Sequence, residues 1–325
     1  MASTRTHTQD VEIQPYTTFH VEVARTERLS PNFLRVTFTG DALDRFADNG
    51  ADQRIKLVVP LPGTGLADFP DGPDWYGRWR ALPDERRNPL RTYTVRAVRQ
   101  DLRELDVDFV LHGDGGPASR WANAARPGTP AAVVGPDARH PGPHGGREWT
   151  PPPDASRLLL AGDETAVPAI CAIAESLSGD VPATILLEVP QAEDILDLRT
   201  RPGVEITWLP RDGAAHGDAL IPAVREATGA PARTMASNPA TNPAVNPAVN
   251  PAETGDLNDI DVDRDLLWEV PDPTAAAACD GLYAWLAGEA AMVKTLRRHL
   301  VQQVGVDRRA VAFMGYWRLG RAEAN

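Results

Sequence analysis

Arg91-Thr92-Tyr93-Thr94-Val95-Arg96 opens a strand-like run in which two chemistries alternate. In an extended strand Arg91 and Tyr93 share one side, and Thr94 and Arg96 share the other. The set offers a guanidinium for a pyrophosphate, a ring to stack on a flat tricycle and a hydroxyl for a ring nitrogen. An ordinary amphipathic strand would carry the same pattern. Some fifteen residues on, Leu105-Asp106-Val107-Asp108-Phe109-Val110-Leu111-His112 reads as a second strand. It runs into Gly113-Asp114-Gly115-Gly116-Pro117-Ala118-Ser119 and then a helical Arg120-Trp121-Ala122-Asn123. The N–H groups at such a helix start point outward, and the helix dipole favours negative charge there. Gly116 permits close approach of a diphosphate and Ser119 adds a hydroxyl; a plain corner capped by Ser119 is the simpler alternative.

A second set lies later in the chain. Leu160-Ala161-Gly162-Asp163-Glu164-Thr165-Ala166-Val167-Pro168 passes from a strand end into a helix, where an open α/β sheet binds nucleotides. Thr165 is expected to cap that helix, with Pro168 in its first turn. Trp208-Leu209-Pro210-Arg211 ends another strand and places a cation near a ribose or its 2′-phosphate, unless Arg211 is a plain surface charge. Gly288 and Glu289 again turn a strand into a helix, and Gly315-Tyr316-Trp317-Arg318-Leu319-Gly320 ends the last strand. Adjacent aromatics there serve either core packing or a ligand face.

The elements that must position these residues fall into two series. Alternating runs at Phe19–Val23, Leu34–Phe38, Ile55–Val59, Thr92–Val98, Leu105–Leu111 and Ala131–Val134 predict a small antiparallel barrel. A Pro/Gly-dense stretch at 140–154 separates it from strand–helix alternation. Strands are expected at 158–161, 184–189, 206–209, 282–287 and 311–315, with helices near 165–177, 219–227 and 290–304, which implies a doubly wound parallel sheet. The expected organisation is a flexible 1–15, a barrel domain at 16–148 and an α/β domain at 149–325. A period-four Asn-Pro-Ala run between about 229 and 258 reads as a disordered insertion.

Composition excludes several functions. Lys and Arg number 33 against 45 Asp and Glu, a formal charge of −12, so nucleic acid and anionic lipid are poor partners. Two cysteines give neither a disulfide framework nor a metal knuckle. Residues 1–10 lack the apolar core of a secretory signal and no apolar run spans a membrane, so a cytoplasmic location is expected. Gly63-Thr64-Gly65 lacks the third glycine of a dinucleotide fingerprint, and Asp259-Ile260-Asp261 lacks the turn glycine of a calcium loop. His140 and His144 have no third metal ligand, and there is no GxSxG elbow.

RxYT on one strand with GxxS at a helix start resembles the flavin-binding pattern of the ferredoxin-reductase-like superfamily. RTYTVR, HGDGGPASRWA, AGDETAVPAI, LAGEA and the terminal GYWRLG, together with DQRIKLV at 52–58, resemble the siderophore-interacting protein family of FAD-dependent ferric-siderophore reductases. The resemblance implies a Greek-key FAD-binding barrel followed by an NAD(P)H-binding α/β domain. It implies that Arg91, Thr92, Tyr93, Thr94, Asp108, Val110, His112, Gly116, Pro117, Ala118 and Ser119 surround FAD, with Thr94 near the atom that accepts hydride. Gly162, Glu164, Thr165, Ala166, Arg211, Gly288, Glu289 and Trp317 would serve the cofactors, NADH or NADPH being the donor. Lys56, Arg96, Arg139 and Arg318 are expected as a cationic rim for an anionic ferric siderophore. The family carries a basic residue after the Gly-Pro that closes the barrel; here Gly135-Pro136 is followed by Asp137-Ala138-Arg139. A monomer is expected, since no long apolar face demands a partner. A reductase for a ferredoxin- or flavodoxin-like acceptor and a non-catalytic siderophore-binding protein are the alternatives.

Overall fold

The computed structural model describes residues 13–111, 116–229, 268–271 and 281–320. His112 and nearly all of the Asn-Pro-Ala region lie outside the described residues, as do residues 1–12 of the expected N-terminal tail. Residues 13–15 are tied down: the Ile13 carbonyl pairs with the His140 ring at 2.8 Å, and the Pro15 carbonyl accepts the Asp137 N–H at 3.0 Å.

Six antiparallel strands form a closed barrel: β1 (Tyr16–Arg28), β2 (Phe33–Thr39), β3 (Arg54–Val58), β4 (Leu90–Arg99), β5 (Glu104–Val110) and β6 (Pro130–Pro136), in the order β1-β2-β5-β4-β3-β6. Every predicted barrel run falls on one of them. Their inward residues, among them Phe19, Val36, Ile55, Leu57, Val107, Phe109 and Val133, fill one core, while Val58, Leu90, Ala132 and Val134 belong to a second cluster with Phe69 and Trp79. A helix missing from the sequence reading, α1 (Trp75–Arg80), sits in the β3–β4 connection, where Trp79 packs with Phe69 and Leu90. At six residues it is too short to show a helical period. Helix α2 (Pro117–Ala124) follows β5.

The second sheet has the order β10-β12-β11-β7-β8-β9. Its strands are β7 (Arg157–Gly162), β8 (Ala183–Val189), β9 (Val204–Pro210), β10 (Trp268–Glu269), β11 (Leu282–Glu289) and β12 (Val311–Trp317). All neighbours are parallel except the short edge strand β10, which the sequence reading lacked. Helices α3 (Val167–Ser176), α4 (Leu220–Ala227) and α5 (Ala290–Arg298) follow β7, β9 and β11, and α5 continues as a π-helix over His299–Val304. The inner strands β7, β8, β11 and β12 are buried on both faces, between a core that includes Ile170 and Ile173 of α3 and one that includes Val224, Val293 and Leu296.

The two sheets are joined by more than the connecting chain. Phe33, Leu29, Ala51 and Val110 of the barrel half pack into the core under β7 and β8. Fully buried Asp194, after β8, accepts from the β1–β2 turn: Ser30 Oγ at 2.7 Å, Asn32 N at 2.9 Å and Asn32 Nδ2 at 2.7 Å. Asp52, before β3, accepts the Trp285 indole N–H of β11 at 3.2 Å and the Trp149 N–H at 3.0 Å. Burial raises the Asp52 carboxyl above its ordinary value despite these donors.

Candidate functional site

On the barrel side the site is built by β3, β4 and the β5–α2 corner. Tyr93 packs against Phe109 with ring centroids 4.4 Å apart, while Thr94 is buried on the opposite face of β4. Thr92 accepts from the Lys56 ammonium of β3 at 2.7 Å. A register shift between Val95 and Ala97 places Arg96 at a bulge, from which its guanidinium leaves the barrel. It reaches Glu175 of α3 at 2.7 Å and Asp108 at 3.6 Å. Asp108 is itself held at both oxygens by Arg35, at 2.7 and 2.8 Å. Arg96 and Asp108 thus brace the barrel against α3.

At the corner, Gly116 precedes α2 with Pro117 in the first turn, and among the described residues no side chain caps this helix. A Cβ on Gly116 would meet nothing within 4 Å. The first N–H groups of α2 thus have no described side-chain acceptor at the positive end of a helix. Those features suit a diphosphate.

On the sheet side the strand ends converge on carboxylates. Asp163, after β7, is fully buried and accepts from Thr165, from the Glu289 N–H at 2.7 Å and from the Trp317 indole N–H at 2.8 Å. The Thr165 hydroxyl turns back to Asp163 at 2.5 Å instead of capping α3, whose first flanking position is Ala166. Burial, and then the neighbouring Glu164 charge, push the Asp163 carboxyl up to about 6. Gly162 and Gly288 are required by closeness: a Cβ on Gly162 would lie 2.7 Å from the Ala287 carbonyl, and one on Gly288 would lie 2.6 Å from Asp163 Oδ2. Glu289 caps α5, accepting from Ala291 N at 2.7 Å and Met292 N at 2.9 Å.

Arg211 is not an outward cation. It binds Glu164 at 2.7 and 2.9 Å and Glu188 at 3.3 Å, with only 8% of its side chain exposed. Burial alone would raise Glu164, but Arg211 holds it below its ordinary value. Glu188 also accepts the Gly217, Ala219 and Leu220 N–H groups at the start of α4. His216 lies 3.2 Å from Glu164 and meets Trp317 edge-on, ring centroids 4.7 Å apart.

Three residues of the expected cationic rim are engaged by partners. Lys56 binds Thr92, Arg96 binds α3, and Arg139 is exposed but bound at two points by Asp137, at 2.9 and 2.6 Å. Arg318 is exposed beside Trp317. Val110 is half-buried against the second core. Asp163, Glu188 and His216 were not singled out in the sequence, and Arg54, ion-paired with Glu148 and stacked 4.4 Å over Trp268, is a further addition. A cavity lined by Leu158, Thr184, Thr228, Leu282 and Val306 lies at the opposite end of the parallel strands. Among the described residues no group of His, Cys, Asp and Glu could hold a metal ion, and no helix is long and apolar enough to cross a membrane.

This pairing of an antiparallel barrel with a parallel sheet has relatives across both halves. Residues 22–140 match the model of a siderophore-interacting FAD-binding domain, and residues 155–320 match that of the siderophore-interacting protein. The chain belongs to the siderophore-interacting protein family. An uncharacterized protein of Mycobacterium tuberculosis is 32% identical over 93% of this chain and 90% of its own length. The ferric vibriobactin reductase ViuB of Vibrio cholerae is 35% identical over 59% of this chain and 66% of its own. The NADPH-dependent ferric-chelate reductase of Escherichia coli is 32% identical over 59% and 71%. Among solved structures, the siderophore-interacting protein SipS of Aeromonas hydrophila superposes with a TM-score of 0.63 at 30% identity, covering 94% of each chain. FAD is the cofactor of the barrel, and the start of α2, with no described side chain capping it, suits the charge of its diphosphate.

Proposed function

We propose that this protein is a ferric-siderophore reductase, with FAD held on the barrel and a nicotinamide dinucleotide held at the C-terminal edge of the parallel sheet. The division into a FAD unit at 16–148 and a nucleotide unit at 149–325 belongs to the same proposal. The observation that supports it is the presence of one candidate site on each half: the start of α2, which no described side chain caps, on the barrel half, and on the sheet half the strand ends gathered on Asp163, with the Trp317 indole held there. NAD(P)H and two Fe(III) give NAD(P)⁺, a proton and two Fe(II), so a carrier must accept two electrons together and release them singly, the chemistry FAD supplies when bound.

The residues of the chain bind and orient. Arg91 and the N–H groups of Ala118 and Ser119 serve the diphosphate, Tyr93 the flat ring, and buried Thr94 a hydrogen bond at the ring edge. Gly162 and Gly288 let the strand ends pack closely enough to form the sheet edge at which a dinucleotide would lie. No acid–base pair is needed, and none of the buried carboxylates is placed as a general base. Lys56, Arg139 and Arg318 are proposed to draw an anionic ferric chelate to a protein whose overall charge is negative. Ferrous iron, released in the cytoplasm, binds hard oxygen ligands less tightly than ferric iron.

An anaerobic absorbance titration tests the reading. Flavin bands that bleach with NADH or NADPH and return with a ferric siderophore, while an Fe(II) chelator colours, are the expected result. Bands that bleach and return only with a ferredoxin- or flavodoxin-like protein would move the acceptor. A protein that takes up no FAD would refute the proposal.

A further inference from the structure

The two oxygens of Asp163 do different work. Oδ1 serves its own turn, accepting from Thr165 N at 2.9 Å and Thr165 Oγ1 at 2.5 Å. Oδ2 ties two other strand ends together, accepting from Glu289 N after β11 and from Trp317 Nε1 at the end of β12. The carboxylate has no exposed surface, so no ligand touches it. Of the side chains bound to it, Trp317 presents the large surface that stays half-exposed. That indole is fixed twice: its one polar atom is held by Oδ2, and its ring is braced edge-on at 78° by His216. His216 is in turn steadied by Glu164, which Arg211 anchors.

An aromatic side chain has two rotatable χ angles. Tethering the nitrogen and bracing the edge removes both freedoms, so Trp317 is a fixed wall at the sheet edge. We infer that Asp163, seconded by His216, is a positioning residue that holds Trp317 where it sets the approach of the nicotinamide ring to the flavin. This rests on the reductase reading above. Asp163 touches no reacting atom and acts through the indole. Its action is confined to the half-reaction with nucleotide, because the ferric chelate needs only electron transfer across a short gap, whereas hydride transfer needs the reacting atoms in contact and aligned.

The test compares Asp163→Ala, Asp163→Asn, Trp317→Phe and the double variant Asp163→Ala/Trp317→Phe in the FAD-loaded protein. Asparagine retains one oxygen, which at the Oδ2 position keeps the bonds to Glu289 N and Trp317 Nε1; its amide then faces the Thr165 hydroxyl, a group able to accept, and gives up the bond from Thr165 N. Trp317→Phe keeps a ring and removes the N–H. Flavin reduction by NADH and NADPH is followed by stopped flow, and reoxidation of dithionite-reduced enzyme by a ferric siderophore is followed separately. The indole N–H signals of ¹⁵N-tryptophan-labelled protein, assigned for Trp317 by its loss in Trp317→Phe, report hydrogen exchange.

Asp163→Ala is expected to slow reduction by nucleotide roughly 10- to 100-fold, the scale of a misplacement of about 1 Å. It should leave reoxidation close to wild type and expose the Trp317 N–H to exchange. Asp163→Asn is expected to recover most of the loss, and the double variant to be no slower than Trp317→Phe alone. The inference is overturned if Asp163→Ala slows both half-reactions alike, or if it slows Trp317→Phe by the same factor as wild type. Should Asp163→Ala not retain FAD, Trp317→Phe and His216→Ala decide: both must slow reduction by nucleotide, and wild-type rates in either case overturn it. A wild-type flavin that neither nucleotide reduces would instead overturn the reductase reading.

Discussion

Replacing Asp194 tests whether barrel and sheet are held in one geometry by directed bonds or only by apolar contact. Its carboxylate accepts three hydrogen bonds from Ser30 and Asn32 in the β1–β2 turn, on the far side of the junction from its own loop. A hydrogen bond to a charged group contributes about 1.5–3 kcal/mol net. Asn32 is only part-buried, so water satisfies some of these donors once the carboxylate is gone. The expected loss for Asp194→Ala is therefore about 3–4 kcal/mol, below the simple sum and within the range for removing one partner of a buried charge. Asp194→Asn keeps an oxygen for Ser30 Oγ and Asn32 N, and the Asn32 amide can turn to present its own oxygen. The expected loss there is about 1 kcal/mol. Urea unfolding of the FAD-saturated protein, read by tryptophan fluorescence, measures both. With a urea slope of about 2–3 kcal/mol/M, Asp194→Ala should lower the midpoint by about 1–2 M. Equal midpoints for the two variants, or a loss below about 1 kcal/mol for alanine, would mean that Phe33 and its apolar neighbours hold the junction unaided.

Two further outcomes follow from the sheet edge. Because Arg211 is engaged by Glu164 and Glu188, it is not available to a 2′-phosphate. NADH is expected to bind at least as tightly as NADPH, and Glu164→Gln to shift the ratio towards NADPH; isothermal titration giving an NADPH preference beyond about tenfold in the wild type would contradict this. The second concerns pH. Asp163 titrates in the folded protein at about 6 against an ordinary 3.8, so the folded state holds a proton that the unfolded state has lost. Its contribution is complete below about pH 4 and is lost as pH rises through about 6, by at most about 3 kcal/mol. Asp163→Asn should lack this slope, while Glu104, drawn down to about 2 by Arg25, works in the opposite sense as pH falls from about 4.5. Urea midpoints of wild type and Asp163→Asn between pH 4 and 7 that differ by a constant would refute the assignment.

Much of the fold was legible because it is local. Period-two alternation located all six barrel strands, and the apolar run at Leu158–Ala161 located β7, since a strand covered on both faces must be apolar throughout. Gly162 and Gly288, expected from their motifs to serve a nucleotide, also stand where a Cβ would strike backbone or carboxylate, a packing reason that the motifs alone did not reveal. What stayed hidden depends on partners far along the chain. Asp163 sits inside the same motif as Gly162, Glu164 and Thr165, yet its importance comes from Trp317, 154 residues away. Arg96 and Arg211 read as available cations because the carboxylates that bind them, Glu175 and Glu164, lie 79 and 47 residues away and reach them only after folding. The Thr165 hydroxyl, a good cap by type, finds a carboxylate closer than the helix end.

The hidden residues share a role that explains their placement. Asp194 bonds the β1–β2 turn, Glu175 bonds Arg96, and Asp52 bonds Trp285, so each brace joins a carboxylate on one side of the junction to a donor on the other. Apolar packing around Phe33 and Ala51 brings the two sheets together but has no preferred direction, and it tolerates sliding by a fraction of an ångström. Charge-assisted bonds of 2.7 Å do not. A two-site redox enzyme needs that distinction, because ligands held by different sheets react only if the sheets keep one register. The braces are dispersed through the chain because each must come from whichever element reaches the junction, and for that reason no short motif announces them.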